Sequence, residues 1–240
     1  MSPAWAVRPF AAISRFVDRM PSQCAVCRAW PSQPVCDACV ARFAPPVARC
    51  RTCALPLHTD DAASQCGDCV LEPPPLDACL AACDYGWPWQ EHIASFKFHG
   101  EAGWATPFAT LMRSTPWVEP TIERCDVVLP MPLSGERLRR RGFNQAFELA
   151  RRLAPGRADA TLLLRIRDTP AQSGLSRAER LRNLDGAFAI EPLRPDAVRG
   201  RRVVLVDDVM TSGASLCTAA AILRAAGASH VAAIVLARTA

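Results

Sequence analysis

Lysine is almost absent. Lys97 is the only one among 28 basic side chains, and the rest are arginines. Where arginine is this common, no single arginine stands out as a site residue. Long apolar runs are missing too, and none approaches the roughly 18 residues that a membrane-spanning helix needs. Arg8, Arg15 and Asp18 interrupt the apolar positions near the N-terminus, so that stretch does not read as a secretory signal peptide. The expected location is the cytoplasm. Aromatic residues are sparse where positive charge is densest. Residues 134–182 hold 12 arginines against 5 acids, but only Phe143 and Phe147 as aromatics. That segment is a candidate anion-binding surface without an obvious base-stacking platform.

The 240 residues are half hydrophobic, enough for one ordinary domain and a small module. The formal charge of +5 counts every cysteine as neutral. Eight thiolates on two Zn²⁺ ions would leave about +1. A general nucleic-acid-binding charge is therefore not established.

Those thiolates come from four C-x2-C pairs: Cys24 and Cys27, Cys36 and Cys39, Cys50 and Cys53, Cys66 and Cys69. Each pair can aim two sulfurs at one tetrahedral ion, so two pairs complete a site with no position open for catalysis. Chain order favours the first two pairs on one structural zinc and the last two on another, and a crossed arrangement is also possible. Four disulfides would need an oxidising compartment, for which the N-terminus gives no sign. The region has few large aliphatic residues, so metal must supply much of its folding free energy. Cys79, Cys83, Cys125 and Cys217 lack this spacing and read as small core residues.

Phe10, Ile13, Val17 and Met20 fall at helical spacing, which predicts a short amphipathic helix docked on the protein's own core. Pro73-Pro74-Pro75 is a stiff spacer. The expected organisation is an N-terminal helix over 1–20, a double zinc ribbon over 21–72, a proline linker over 73–75 and an α/β domain over 76–240. In that domain strands are expected at 76–85, 126–129, 161–166, 203–206 and 231–236. Helices are expected at 88–98, at 101–113 with Pro107 kinking it or moving its start, at 144–153 and at 216–226. The alternation implies a largely parallel sheet. Lys97 and His99 close the first of these helices, either reaching an anionic ligand or forming a solvated helix end. Residues 167–175 read as a polar loop with Pro170 and Gly174 as breakers, and Ser176 and Glu179 as a capping box beyond it.

Val203-Val204-Leu205-Val206 reads as a strand buried on both faces. Asp207 and Asp208 follow at the end of the strand where open α/β sheets place ligands. Thr211, Ser212, Gly213, Ala214 and Ser215 then lead into an alanine-rich helix that stops at Gly227. Such a turn directs backbone N–H groups and the positive helix end toward one point, which suits a phosphate. The paired carboxylates beside it suit ribose hydroxyls or Mg²⁺. This stretch resembles the phosphoribosyl-diphosphate (PRPP) motif of type I phosphoribosyltransferases. Together with the cysteine pairs and Arg141-Gly142-Phe143-Asn144-Gln145, in that order along the chain, it resembles the ComF family. These are phosphoribosyltransferase-like proteins associated with DNA uptake in competent bacteria.

The resemblance implies an α/β fold, a type I phosphoribosyltransferase core of mainly parallel sheet flanked by helices, behind the zinc module. It implies PRPP or ribose 5-phosphate as ligand, with Mg²⁺. Asp207 and Asp208 would be the catalytic pair, and residues 211–215 would take the 5′-phosphate. Pro130 and Met131 would lie in the diphosphate loop, a loop here rich in proline and lacking the glycine common in purine-salvage enzymes. Lys97, Arg137, Arg141, Asn144 and Gln145 would serve anion binding, and Arg167, Gln172, Arg180 and Asn183 a flexible hood. Three functions follow as expectations. The first is a phosphoribosyl transferase whose acceptor no residue identifies. The second is a non-catalytic factor binding single-stranded DNA, and the third a zinc-organised protein–protein adaptor, with proteins of the DNA-uptake machinery as expected partners.

Overall fold

A computed structural model describes residues 22–57, 64–167 and 186–239. The helix expected over 1–20 lies outside these residues, as do Gln172, Arg180, Asn183 and the capping box at Ser176. Among the described residues no helix is long and apolar enough to cross a membrane.

The cysteine-rich region repeats one plan twice. A short β-bridge, Ser22 to Ser32, brackets the turn that carries Cys24 and Cys27, and Cys36 then starts the helix Asp37–Phe43, which carries Cys39. A second bridge, Arg49 to Pro56, encloses Cys50 and Cys53, and Cys66 starts the helix Gly67–Leu71, which carries Cys69.

Beyond the prolines, four parallel strands form the sheet: β1 (Ala78–Asp84), β2 (Val127–Pro130), β5 (Arg202–Met210) and β6 (His230–Arg238), in the order β1-β6-β5-β2. Alternate side chains point to opposite faces, as the pleat requires. Val203 and Leu205 pack with Val231 and Ala233 under Ala219 and Leu223 of the helix Ala214–Ala225. Val204 and Val206 pack with Ile234 against Met112 of the helix Ala105–Ser114 and Leu149 of the helix Gln145–Leu153. The sheet is thus covered on both faces, which is why β5 reads as an unbroken apolar run. Each fully buried Val or Leu there contributes about 1.5–3 kcal/mol.

The chain leaves β2 toward one face and β5 toward the other. Their C-terminal ends therefore flank a topological switch point, where such sheets hold their ligands.

Several elements differ from expectation. β5 is longer and carries Asp207 and Asp208 within the ladder, because Asp207 pairs in register with Val235 and Val209 with Ala237. The arginine cluster, for which no element was expected, forms a helix, Gly135–Arg141. Ser134 accepts from the Arg137 N–H as its N-cap, arginines fill the last turn, and Gly142 ends it with a φ of +80°. The helix Val118–Glu123 is not among the expected elements. Its Pro120 falls in the first turn, where a missing N–H costs little. Pro107 likewise sits early in Ala105–Ser114, and the residues before it form the 3₁₀ turn Ala102–Trp104. The strand expected at 161–166 is β3 (Leu163–Arg165). It leaves the parallel sheet to pair antiparallel with β4 (Phe188–Ile190).

The ribbon is packed onto the sheet edge. Cys24, Val35 and Cys39 share a core with Ala82, Cys83 and Trp89. The Trp89 indole donates to the Phe43 carbonyl at 2.6 Å, and the Cys79 N–H to the Arg51 carbonyl at 2.7 Å. Cys79, Cys83 and Cys125 are buried as expected and Cys217 is half-buried.

Candidate functional site

The switch-point crevice contains a cavity of about 140 Å³ that brings together chemically active side chains from five separate stretches of chain. Lys97 enters from the last turn of the helix Trp89–Phe98, and Asp207 and Asp208 from β5. Arg137 and Arg141 come from the helix Gly135–Arg141, Arg165 from β3, and Ser215 from the turn after β5. Met131 and Pro132 form part of the wall.

Lys97 and Asp208 form a largely buried ion pair, Nζ to Oδ1 at 2.8 Å. Asp207 accepts at Oδ1 from the backbone N–H of Asp208 at 2.9 Å. Burial first, and the neighbouring Asp208 carboxylate second, push the Asp207 carboxyl up to about 7, against the pull of Lys97. The pair thus resists carrying two negative charges until a further cation arrives. Arg141 donates from Nη1 to Gln145 Oε1 at 3.0 Å, and its buried Nε–H has no hydrogen-bond partner among the described residues. Burial pulls its pKa below the usual guanidinium value, with Asp208 working in the other direction. A half-buried guanidinium with a buried, unmet Nε–H beside a cavity suits an anionic ligand.

The stretch Arg141-Gly142-Phe143-Asn144-Gln145 divides its labour. Arg141 faces the cavity and Gly142 ends one helix. Phe143 packs on Phe96 at 5.4 Å between ring centres. Asn144 caps the next helix by accepting from the Phe147 N–H at 3.3 Å, and donates to the Met131 carbonyl at 3.0 Å. Gln145, fully buried, donates to the Phe96 carbonyl at 3.3 Å. Asn144 and Gln145 therefore clamp the segment after β2 and the helix bearing Lys97, while also lining the cavity. Pro130 is the buried last residue of β2 and does not line it, and His99 is exposed and lies apart from it.

The turn after β5 encloses a second, smaller cavity of about 40 Å³ lined by Asp207 and residues 209–216. Asp207 and Ser215 line both cavities, so the two adjoin. Gly213 begins the helix with a φ of +76°, a left-handed conformation that side chains disfavour by about 1–2 kcal/mol. A Cβ on it would stand 2.3 Å from the Met210 methyl group. Gly213→Ala is expected to cost about 1–2 kcal/mol of stability, which urea unfolding checks.

A larger cavity of about 590 Å³ runs along the outer edge of β1, between the segment 44–51 and Trp117. Its only charged lining residues are Arg49 and Arg51, and it shares no residue with the crevice. Polar convergence favours the smaller crevice as the candidate ligand site.

The eight knuckle cysteines gather in two groups, Cys24, Cys27, Cys36 and Cys39, and Cys50, Cys53, Cys66 and Cys69, each with its sulfurs within 4.8 Å of one another. This is the sequential pairing, not the crossed one. Tetrahedral bonds of about 2.3 Å to sulfur imply sulfur–sulfur edges of about 3.8 Å. The distances are 3.9 Å for Cys24 and Cys39, 3.6 Å for Cys27 and Cys36, and 3.7 Å for Cys53 and Cys66. Burial alone would raise the thiols of Cys24 and Cys50, but hydrogen bonds from nearby backbone N–H groups outweigh it and bring each to about 6. Both clusters fit a metal ion such as Zn²⁺.

Two residues of interest escaped sequence reasoning. Arg165 was one arginine among many. Arg238 is buried behind the turn after β5, and only the folded chain brings it there.

A parallel sheet with its ligand crevice at the switch point, an acidic pair and a glycine-started helix define a type I phosphoribosyltransferase core, here joined to a zinc-ribbon-like module. The family described as "Phosphoribosyl transferase domain" matches residues 138–240. The DNA utilization protein YhgH of Salmonella typhimurium is 32% identical over 234 residues, covering 92% of this chain and 98% of that protein. Competence protein F of Haemophilus influenzae is 29% identical over 189 residues, 70% of this chain and 76% of its own. Competence protein ComFC of Bacillus subtilis is 34% identical over 131 residues, covering 55% of this chain and 51% of that one. The chain belongs to the ComF family.

Proposed function

We propose that the crevice binds PRPP or ribose 5-phosphate with Mg²⁺, and that the protein transfers the phosphoribosyl group to an acceptor during the handling of incoming DNA. One observation carries this reading: the turn at 211–215, the acidic pair and a cluster of cations meet around two adjoining cavities. The backbone and hydroxyls of 211–215 would take the 5′-phosphate. Asp207 and Asp208 would face the ribose hydroxyls, and Lys97, Arg137 and Arg141 the diphosphate. Mg²⁺, a hard cation suited to carboxylate and phosphate oxygens, would be held beside Asp207 and Asp208 and would neutralise charge on the leaving group. In the transfer, the bond from ribose C1 to diphosphate breaks and the diphosphate keeps the electron pair. The acceptor supplies the pair for the new bond to C1. The aspartates stabilise the positive charge that develops on the sugar, and the cations the charge on the departing oxygens. The names of the relatives support the link to DNA uptake. The two cysteine clusters would each hold a structural Zn²⁺.

Lys97 occupies the place that a divalent cation would contest, because it holds Asp208 in the unliganded protein. Asp207 must also lose its proton to serve as a ligand. Mg²⁺-dependent PRPP binding should therefore strengthen from pH 6 to pH 8, by up to about tenfold per unit below 7. The unliganded fold behaves in the opposite sense. Between the ordinary carboxyl value of 3.8 and about 7 the folded state holds the extra proton, so its stability falls as pH rises through that window. Calorimetric titration across the range, with thermal melts of the free protein, separates the two trends.

Transfer is tested by diphosphate release from PRPP with Mg²⁺ and a pool of small cytosolic acceptors. Time-dependent release that needs the pool is the expected result. Tight PRPP binding with no release would leave a binding protein and remove the enzyme.

A second reading, single-stranded DNA binding, has one observation of its own. Phe98 is 60% exposed beside the crevice with the Arg141 guanidinium over its ring, and Arg139 and Arg140 are exposed on the adjacent helix. Much of the remaining arginine surplus is spent internally. Arg151 and Arg152 pair with Glu148, and Arg157 donates to the carbonyls of Ile122 and Cys125. Oligonucleotide affinity that falls steeply with salt and weakens on Phe98→Ala would support this reading. An affinity indifferent to both would remove it.

A further inference from the structure

Arg238, the last residue of β6, is a buried cation with no carboxylate partner among the described residues. Its guanidinium is satisfied by oxygens from two distant parts of the chain. Nε donates to the Cys53 carbonyl at 2.9 Å. Nη1 donates to the carbonyls of Met210 at 3.3 Å and Thr211 at 2.5 Å, and also to the Thr239 carbonyl. Cys53 belongs to the second cysteine cluster, while Met210 and Thr211 form the junction of β5 with the turn at 211–215. One side chain therefore joins a metal-ligand knuckle to the start of the candidate phosphate loop. A second contact runs parallel to it, because the Cys79 thiol donates to the Met210 thioether at 3.5 Å while the Cys79 N–H donates to the Arg51 carbonyl.

The electrostatics favour the same connection. A buried, unpaired cation is costly unless a counter-charge is near. Four thiolates around Zn²⁺ carry about −2 in total, and the Cys53 carbonyl joins Arg238 to that cluster. Facing the other way, the guanidinium draws two successive carbonyls to itself and lines neither of the two cavities. It also leaves positive potential behind a turn that is to receive a phosphate.

We propose that Arg238 is a positioning residue for the phosphate loop, and that through it the second cysteine cluster sets the loop's affinity for a sugar phosphate. The proposal rests on the ligand reading given above for residues 211–215. Lysine in its place reaches the loop carbonyls as a point charge but cannot span to Cys53 at the same time, because it lacks the planar fork.

The test uses the full chain with Arg238→Met, Arg238→Lys, Cys66→Ala and the double variant Arg238→Met/Cys66→Ala. Hydrogen–deuterium exchange reports on residues 207–217 and zinc content is measured in parallel. Calorimetry with ribose 5-phosphate gives affinity. In Arg238→Met, amides at 211–215 should exchange at least tenfold faster while the core of β5 at 203–206 stays protected. Both zinc ions should remain, and affinity should fall about tenfold or more. Arg238→Lys should recover part of the loss. Cys66→Ala should lose one zinc and loosen the same loop, and the double variant should be little worse than either single one, as two links of one chain require. Unchanged exchange at 211–215 in Arg238→Met overturns the proposal, and so do additive effects in the double variant. A wild type that binds no sugar phosphate would defeat the ligand reading instead, and the exchange data would still decide the role of Arg238.

Discussion

Asp208→Asn should weaken Mg²⁺-dependent PRPP binding by about a hundredfold, a loss of about 3 kcal/mol, and abolish turnover. The substitution preserves shape and one acceptor oxygen but removes the charge that holds Lys97 at 2.8 Å. Two consequences follow, and they oppose each other in the unliganded protein. Lys97, mostly buried, loses its counter-ion, which is destabilising. Burial still raises the Asp207 carboxyl, but the like charge of Asp208 no longer adds to it, so Asp207 ionises more readily and takes over part of the pairing with Lys97. The net change in melting temperature should stay within a few degrees. In the proposed liganded state there is no such compensation, because the divalent cation and the ribose hydroxyls would engage both carboxylates. A melting curve close to wild type with lost binding is the expected pattern. Undiminished binding in a folded Asp208→Asn protein would remove the role assigned to the pair.

Metal removal should have the largest effect on the fold. Protein purified without oxygen or chelator is expected to carry two zinc ions per chain, one for each cysteine cluster. Stripping both should lower the melting temperature by about 10 °C or more, which corresponds to about 3–5 kcal/mol for a chain of this size. The ribbon has few large apolar side chains, so without metal its own core cannot hold it. The damage should reach the sheet, because Cys24, Val35 and Cys39 pack in one cluster with Ala82, Cys83 and Trp89. Less than one zinc per chain, or a melt unaffected by chelation, would sink this reading.

The parts of this structure that were legible in the sequence are those whose physics is local. Four β-branched or aliphatic residues from Val203 to Val206 announce a strand buried on both faces, and β5 is buried on both faces. The turn from Thr211 to Ser215 and the stop at Gly227, with a φ of +90°, follow from small residues at fixed offsets. The cysteine pairs disclosed their grouping, because C-x2-C spacing lets two sulfurs converge on one tetrahedral point. The helix Gly135–Arg141 is not among the expected elements although its signals are present in the sequence. Ser134, Glu136 and Gly142 are an N-cap, a first-turn acid and a left-handed stop, but four arginines drew attention to charge instead of periodicity. Contacts between distant segments were not legible. The sequence marks Lys97 as rare but does not show that it meets Asp208. It marks Asn144 and Gln145 as polar without showing that they hold the carbonyls of Met131 and Phe96. Arg238 was hidden by composition, since nothing distinguishes one arginine from its many neighbours until the fold buries it.

The claim at the centre of this account is that the crevice between β2 and β5 takes a phosphoribosyl ligand together with Mg²⁺. Calorimetric titration of the zinc-loaded protein with PRPP and with ribose 5-phosphate, each with and without Mg²⁺, tests it most directly. The account predicts that both ligands bind at one site per chain, that Mg²⁺ tightens PRPP far more than ribose 5-phosphate, and that each ligand competes with the other. No heat from either ligand at neutral pH with Mg²⁺ present would contradict it.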